Sequence, residues 1–302
     1  MIQRYNTAGP RYTSFPTAVE FRNVDSDQLE RNALCTPSHT PLSLYLHIPF
    51  CTHVCYYCGC NKIVTQLQTK ANVYLKHLIE EIKQQAEHFG AKAVTHLHFG
   101  GGTPNFLTDD QLLQLMNELK THFYFTTDAQ ISIEIDPRDM TVERIDAMAD
   151  MGFNRLSIGL QDTDPKVQKA INRVQSTELI ASLVARAKER QFRSVNLDLI
   201  YGLPHQTPES FANTLEAVHE MKVERVSLFS YAHLPERFAA QRKLSVDALP
   251  DAEQKLALMH LAVDKLTQFG YQFIGIDHFA LPHDELAKAQ EDKTDPVGAR
   301  TV

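Results

Sequence analysis

Short apolar runs alternate, from residue 41 onward, with longer stretches whose apolar residues recur every three or four positions. The short runs are rich in β-branched and aromatic residues, which predicts strands. These strands are expected at 42–49, 94–101, 129–136, 153–161, 194–202 and 225–234, with a weaker candidate at 271–280. The longer stretches predict amphipathic helices at 66–89, 108–121, 141–150, 176–190, 208–220 and 251–269.

Strand followed by helix, repeated about six times, is typical of a parallel sheet wound by right-handed crossovers. The pattern therefore predicts an α/β fold, either a barrel or an open sheet. In both, functional groups collect at the carboxyl ends of the strands. Polar or glycine-rich segments end or follow all six strands, which predicts one site. The segments are the cysteine loop, 100–104, Glu134 with 136–138, Gln161 with Asp162, Asp198 with 201–204, and 231–235.

Composition limits the class of protein. The chain has 302 residues, 43% apolar and 22% charged, as in soluble globular proteins. No apolar run reaches the roughly 18 residues of a membrane span, and the first residues lack a signal-peptide pattern, so we expect a cytoplasmic protein without a membrane span. Its net charge is -7, and Lys and Arg do not cluster into a stripe that could bind phosphate groups. We therefore expect no nucleic acid partner.

Four of the five cysteines lie within ten positions, at Cys51, Cys55, Cys58 and Cys60. Cytoplasmic thiols stay reduced, so this crowding favours metal or redox chemistry over disulfides. One alternative is structural zinc with Cys60 as fourth ligand, although such sites usually join segments that are distant in sequence. The other is a 4Fe–4S cluster held at three irons, which leaves the fourth iron open to a small molecule.

The segment CTHVCYYC, residues 51–58, resembles the cluster-binding signature of the radical S-adenosylmethionine enzymes. The resemblance implies that Cys51, Cys55 and Cys58 bind a 4Fe–4S cluster whose fourth iron chelates S-adenosylmethionine. One electron from such a cluster cleaves the sulfonium and gives methionine and a 5'-deoxyadenosyl radical.

A wider set of segments resembles the family of oxygen-independent coproporphyrinogen III oxidases, from about residue 2 to about residue 290. They are GPRYTSFPTA, YLHIPFC, CYYCGCNKIVT, HFGGGTPNFL, ISIEIDPR, GFNRLSIGLQD, NLDLIYGLPHQTPESF and YAHLPERFAAQRK. The resemblance implies a partial (β/α)6 barrel in a monomeric enzyme of haem biosynthesis. That enzyme decarboxylates two propionates of coproporphyrinogen III anaerobically, giving the vinyl groups of protoporphyrinogen IX. It would need an electron donor such as a flavodoxin-type reductase system.

Two other functions stay open at this point. Related haem chaperones share the barrel and bind haem without decarboxylating it, but they usually lack a cysteine at the position of Cys60. A zinc-stabilised structural module is the second alternative.

The same resemblance implies the residues that bind S-adenosylmethionine, of which this family holds two molecules. They are Tyr45, Tyr57, Gly101, Gly102, Thr103, Glu134, Gln161, Arg173, Asp198 and Ala232. Without the resemblance, the glycine run reads as a tight turn, and Gln161, Arg173 and Asp198 read as ordinary polar residues at strand ends. Arg173 is expected to grip a carboxylate by paired hydrogen bonds.

Roles are also expected for residues outside this set. Cys60 is included among the catalytic residues, although a structural role fits it equally well, and Cys35 is expected to be a bystander. The fourteen histidines lack a metal-binding spacing and are expected to be structural or solvated. Arg11 and Lys62 are candidates to bind the four carboxylates of the substrate.

Three parts are expected along the chain. Residues 1–40 would form an N-terminal extension that packs on the barrel, and residues 41–282 the catalytic domain. Residues 283–302 would be a divergent tail in place of the family's helical C-terminal domain. We therefore expect a truncated chain able to bind a cluster but without residues that close over the substrate, and its activity stays open.

Overall fold

The computed structural model describes residues 39–293 and, nearer the N-terminus, residues 22, 23, 25, 27, 28, 31 and 34–37. The strands are β1 (Leu42–Ile48), β2 (Phe50–Cys51), β3 (Ile63–Val64), β4 (Ala93–Gly101), β5 (Tyr124–Ile135), β6 (Arg155–Gln161), β7 (Ser194–Tyr201), β8 (Arg225–Ser230), β9 (Gln272–Gly275) and β10 (His278–Ala280). The helices are α1 (Gln68–Phe89), α2 (Asp109–His122), α3 (Val142–Met151), α4 (Pro165–Ala170), α5 (Thr177–Glu189), α6 (Pro208–Met221), α7 (Ala252–Gln268) and α8 (Glu285–Glu291).

Eight of these strands form one sheet in the order β1-β4-β5-β6-β7-β8-β10-β9. The six strands from β1 to β8 are mutually parallel and follow chain order, as in a partial (β/α)6 barrel. The predicted α/β class and the six parallel strands are confirmed. The short strands β2 and β3 pair with each other and flank the cysteine loop.

The seventh predicted strand, 271–280, is wrong as a single strand. It is a hairpin, in which β10 pairs antiparallel with β8 and β9 pairs antiparallel with β10. Ile276 and Asp277 both have positive φ, 47° and 67°, which reverses the chain between the two strands. The run of apolar residues concealed this turn because Ile276, its first residue, is β-branched and seldom adopts positive φ. Strand β8 also ends at Ser230, four residues earlier than predicted.

The six predicted helices begin and end within two residues of the observed ones. Capping boxes start three of them, at Thr108, Thr207 and Asp251. In each, the side chain of the cap residue accepts a hydrogen bond from the backbone N–H of the third helical residue. The side chain of that third residue accepts one from the backbone N–H of the cap residue. The pattern did not predict α4 and α8, which have six and seven residues and are too short for helical periodicity.

The two faces of the sheet differ in polarity. One face packs against the helices through buried side chains such as Leu97, Ile133, Leu156 and Val226. Side chains on opposite faces alternate along a strand. The other side, here named the polar face, carries His98, Ser132, Glu134, Ser157, Asn196, Asp198 and Ser227. Sheets that are parallel throughout are usually apolar on both faces, so this polarity marks a surface that serves a ligand.

Helix α8 packs at the opposite end of the sheet from the cysteine loop. Asp284 caps it and binds Arg225, the first residue of β8, with Nε at 2.9 Å from Oδ2. Glu285 accepts a hydrogen bond of 2.5 Å from Arg155, the first residue of β6. The expected division at 40 and 282 stays a prediction, because residues 1–21 and 294–302 lie outside the described part. No helix in the described ranges has both the length and the apolarity for crossing a membrane.

Candidate functional site

The cysteine loop, residues 51–60, is tied to segments that follow other strands. The amide of Tyr56 donates to the carbonyl of Ile171 at 2.9 Å. Asn172, held at φ 54°, donates from Nδ2 to the carbonyl of Val54 at 2.7 Å. These bonds come from the segment after β6. The loop therefore takes its shape from tertiary contacts rather than from its own sequence.

A second set of contacts joins the loop to the segment after β8. Gln241 donates from Nε2 to the carbonyl of Tyr57 at 2.9 Å and to that of Ala232 at 3.2 Å. A side chain on Gly59 would meet the ring of Phe238 at 3.0 Å, so glycine allows this packing.

The glycine run, Gly100 to Gly102, ends β4 and lies directly against the chain that enters the loop. The amide of Gly102 donates to the carbonyl of Ile48 at 2.8 Å. A Cβ on Gly102 would lie 2.7 Å from the carbonyl oxygen of Pro49, and Gly101 has φ 122°. Close approach of backbones thus explains these glycines, and it fixes where the cysteine loop begins.

A buried ionic hub lies beside Cys55. Arg138 Nη2 is 2.6 Å and Arg173 Nη1 is 3.0 Å from Asp136 Oδ2. Both guanidinium groups also donate to Cys55 Sγ at 3.4 Å. Arg173 Nη2 donates to the carbonyl of Gly159 at 2.8 Å, while its Nε, also buried, has no hydrogen-bond partner among the described residues. The hub therefore places two guanidinium groups within hydrogen-bond distance of the Cys55 sulfur.

Charge pairing determines the protonation of Asp136. Burial alone would raise its pKa, but the guanidinium groups of Arg173 and Arg138 outweigh burial and hold the pKa at about 2. The Asp136 amide donates to Thr103 Oγ1 at 3.2 Å and to Asn105 Oδ1 at 2.8 Å. Thr103 thus connects the glycine run to the hub.

The loop thiols differ in acidity. The thiol of Cys60 donates to Cys58, which with further hydrogen bonds and Lys62 lowers the pKa of Cys58 to about 5. Burial, and then repulsion by Cys58 and Cys55, raises the pKa of Cys51 to about 12. Lys62 donates to the carbonyl of Cys58 at 3.1 Å. This amine lies at the loop itself.

A chain of polar contacts leads from the loop to the polar face. Tyr45 Oη lies 3.0 Å from His47 Nδ1, and His47 Nε2 lies 3.0 Å from the carbonyl of Asn61. The Tyr45 ring stacks on His98, whose Nε2 lies 3.0 Å from Glu134 Oε1. His47 and His98 are therefore hydrogen-bonding groups at this position, in keeping with the structural role expected of the histidines.

Asp198 lies further along the same face. Its carboxylate lies 2.7 Å from Asn196 Nδ2 and 3.1 Å from Ser157 Oγ. Burial, and then the negative charge of Glu134, raises its pKa to about 7. The two carboxylates predicted to bind the same cofactor are close enough to influence each other.

The remaining predicted residues take varied positions. Gln161 ends β6 with φ 66°, an uncommon conformation outside glycine that is typical of strained functional sites. Tyr57 packs in a small apolar cluster with Ile171 and Tyr231. Ala232 is exposed, and Arg11 lies outside the described residues.

Sequence reasoning missed the hub itself. The segment 136–138 was recognised only as the polar end of β5, and Arg138 received no role. Arg173 was expected to grip a cofactor carboxylate, whereas here its two Nη atoms contact Asp136, Cys55 and a backbone carbonyl. The adjacent DPR motif was a signal, but only the fold shows that Asp136 meets a residue 37 positions away.

The thiols fit an iron–sulfur cluster in their chemistry. Cys55 accepts hydrogen bonds from two cationic groups, and Cys58 accepts one from the amide of Cys60 at 3.4 Å. Hydrogen bonds to sulfur and nearby positive charge are the groups that tune such clusters. Within residues 39–293, no three His, Cys, Asp or Glu side chains are grouped to hold a single metal ion. A cluster differs, since each thiolate binds a separate iron.

The chain resembles known proteins over most of its length. The family profile described as the Radical SAM superfamily matches residues 45–218, more than half of the chain. Oxygen-independent coproporphyrinogen III oxidases from Salmonella typhimurium and Escherichia coli are each 52% identical over 292 residues. The enzyme of that name from Pseudomonas aeruginosa is 48% identical over 299 residues. The alignments cover 97% of this chain but only 64–65% of the relatives.

Comparison with solved structures shows the same resemblance. The structure of coproporphyrinogen III oxidase from Escherichia coli, described as a radical SAM enzyme, superposes with a TM-score of 0.91 at 51% identity. It matches 93% of this chain and 65% of that one. Methylornithine synthase, at 15% identity and a TM-score of 0.50, shares the fold alone.

Proposed function

Because the chain belongs to the radical SAM superfamily, we propose that it acts as an oxygen-independent coproporphyrinogen III oxidase. It would use a 4Fe–4S cluster and S-adenosylmethionine, two molecules of which would bind. The reaction turns two propionates of coproporphyrinogen III into vinyl groups. Each loses carbon dioxide, one hydrogen atom and one further electron, which needs an acceptor.

One observation supports this proposal above the others: the cysteine loop is fixed in front of the polar face by segments from four other strand ends. Backbone bonds, the glycine run and the hub at Asp136 each contribute. Such an arrangement would hold a redox group beside a row of polar side chains. A structural zinc site would not require polar side chains along the neighbouring face of the sheet.

We assign roles to the chain's own residues as follows. Cys51, Cys55 and Cys58 would hold the cluster, which on binding S-adenosylmethionine supplies one-electron cleavage of its sulfonium. Glu134 would accept hydrogen bonds from a cationic amine, since His98 orients its carboxylate. Asp198, oriented by Asn196, would accept from hydroxyl groups.

Further binding residues complete this proposal. Tyr45, Tyr57, Gly101, Gly102, Thr103, Gln161, Arg173 and Ala232 would line the S-adenosylmethionine sites. We propose Arg11 and Lys62 for the substrate carboxylates, with Lys62 already directed toward the loop. A cytoplasmic location, a monomeric state and a flavodoxin-type electron donor are parts of the same proposal.

Anaerobic reconstitution with iron and sulfide tests the proposal. The loaded chain should contain about four irons and should convert coproporphyrinogen III to protoporphyrinogen IX when given dithionite and S-adenosylmethionine. Cys55→Ala should lose iron and activity together. Cys35→Ala, which alters an exposed cysteine outside the loop, is the matched control and should keep both.

The outcomes separate the alternatives. A chain that cleaves S-adenosylmethionine and binds haem but forms no protoporphyrinogen would be a haem carrier. A chain that takes up zinc alone would contradict both radical readings. A parallel assay of a full-length relative confirms that the substrate and the reductant are competent.

A further inference from the structure

An apolar surface flanks the cysteine loop. It consists of Ile63, Val64, Leu67 and Val73, each between 45% and 60% exposed, and we name it the flank patch. Next to it lies a mostly apolar groove of about 470 Å³, lined by Phe50, Ile63, Thr69, Lys70, Val73, Tyr74 and His77. Contiguous exposed apolar surface commonly marks a site of protein association.

The flank patch is adjacent to a predicted cluster ligand. Strand β3 pairs with β2 so that Val64 lies opposite Cys51, and the amide of Thr65 donates to the Cys51 carbonyl at 2.9 Å. Phe50, the neighbour of Cys51, forms part of the groove wall. A protein seated here would therefore approach the cluster from the outside, without entering the polar face.

The charge around the groove indicates what kind of protein would bind there. Residues 31–79 contain no Asp or Glu, although the whole chain has 37. Lys70 and His77 line the groove, and Lys62 lies at the loop. The described lining of the groove therefore carries Lys70 and His77 but no carboxylate, although Glu80 and Glu81 follow on the same helix and the chain has a net charge of -7. Opposite potentials guide the encounter of two proteins, so an acidic partner is favoured.

We propose that the flank patch and its groove are the docking surface for the acidic one-electron carrier that reduces the cluster. This inference rests on the proposed function, because it requires a redox cluster in the loop. The carrier's flavin hydroquinone gives up one electron and the oxidised cluster gains it, and no covalent bond of this chain forms or breaks. A patch of this modest size suits the small, short-lived interfaces of redox partners.

Flavodoxin in the hydroquinone state is the probe for the test. Reconstituted protein is mixed with it anaerobically in a stopped-flow instrument, and flavin oxidation is followed at low and high salt. Lys70→Glu and Val73→Asp should each slow this electron transfer about tenfold at low salt and weaken flavodoxin binding, measured by calorimetry, to a similar extent. Reduction by dithionite, which needs no docking, should not change.

Lys288→Glu is the matched control, because it makes the same charge change on an exposed lysine of α8 at the other end of the sheet. It should leave the transfer rate and the binding at wild-type values. The docking proposal is overturned if both surface variants behave like Lys288→Glu. Sedimentation that shows a dimer dissolved by Val73→Asp would also overturn it, because the occupant would then be a second copy.

The two proposals can fail separately. The docking assay contains no coproporphyrinogen, so a chain that binds flavodoxin and accepts its electron but makes no product contradicts only the decarboxylase. A chain that makes product with dithionite while Lys70→Glu changes nothing contradicts only the docking surface.

Discussion

At the scale of single residues, one carboxylate organises the region beside the loop. Asp136 accepts hydrogen bonds from Arg138 and Arg173, and these two guanidinium groups also reach Cys55. Unpairing buried charges of this kind costs about 3–5 kcal/mol, so the three residues depend on one another. Their mutual pairing keeps two positive groups beside a thiol without leaving either uncompensated.

The glycine run permits a test at the same scale. In Gly102→Ala, the added Cβ would lie 2.7 Å from the carbonyl oxygen of Pro49. We expect a loss of about 1–3 kcal/mol in the free energy of unfolding, as in overpacked cores, measured by urea denaturation. Iron uptake should fall as well, since the entry to the loop must shift.

Gly270→Ala is the control for Gly102→Ala. Gly270 has φ 92°, and no described residue lies within 4 Å of an added Cβ, so alanine there is expected to add only backbone strain of about 1–2 kcal/mol. It should leave iron uptake at the wild-type level. Equal iron loss in both variants would show that stability alone, and not close approach, explains the effect.

The raised pKa of Asp198 should make the stability of the fold depend on pH. Its pKa is raised to about 7 in the folded protein, above the ordinary value of 3.8, so folding favours its protonated form. The stability that this preference contributes is complete below pH 4 and is lost as pH rises through 7. Asp198→Asn should therefore gain on the order of 2–4 kcal/mol relative to the wild type between pH 4 and pH 8.

Urea unfolding of the cluster-free protein at several pH values measures this gain. Asp292→Asn, on an exposed residue, should change by less than about 0.5 kcal/mol across the range. Parallel pH curves for wild type and Asp198→Asn would contradict the assignment. Asp162, whose pKa burial raises to about 6, contributes equally to both proteins and cancels in the comparison.

At the scale of elements, α8 supports the sheet from the end opposite to the site. Although it has only seven residues, it buries Leu286, Ala287 and Ala289. Asp284 and Glu285 pair with arginines that begin β8 and β6, and Arg155 retains two buried donors that no residue in the described part of the chain accepts. Short helices are marginal by themselves, so tertiary contacts must hold this one in place.

Substitutions at Asp284 separate the contributions of charge and cap. Asp284→Asn keeps an N-cap side chain but removes the charge opposite Arg225, so we expect a loss of about 3 kcal/mol in the free energy of unfolding. Asp284→Ala also removes the cap to Leu286 and should lose about 1 kcal/mol more. Urea denaturation of both variants at pH 7 measures the difference. Equal losses would show that capping contributes nothing here.

At the scale of the whole molecule, the sheet holds one loop through contacts from several directions. The loop receives bonds from residues 171–172 and 241 and from the hub, and the glycine run bonds Ile48 in the chain that enters it. Binding free energy for a cluster therefore adds to the stability of the folded state.

Loss of the cluster should loosen the cysteine loop more than the rest of the chain. When the reconstituted protein is exposed to air and loses its blue-region absorption, amide hydrogen exchange should quicken about tenfold or more in residues 51–62. Amides of α5, which buries Ile180, Leu183 and Val184, serve as the internal control and should change little. Uniform quickening across the chain would instead indicate global destabilisation.

The sequence by itself determined the order of the six parallel strands and the six longer helices, the cysteine loop and the family, because periodicity and contiguous motifs are local properties. Tertiary structure alone decided which side chains meet. Asp136 pairs with Arg173 across 37 positions, and Glu134 acts on Asp198 only because the register of β5, β6 and β7 places them on one face. The turn at Ile276 and helix α8 likewise needed neighbours to form. Burial and charge depend on distance in space, and a single sequence does not contain those distances.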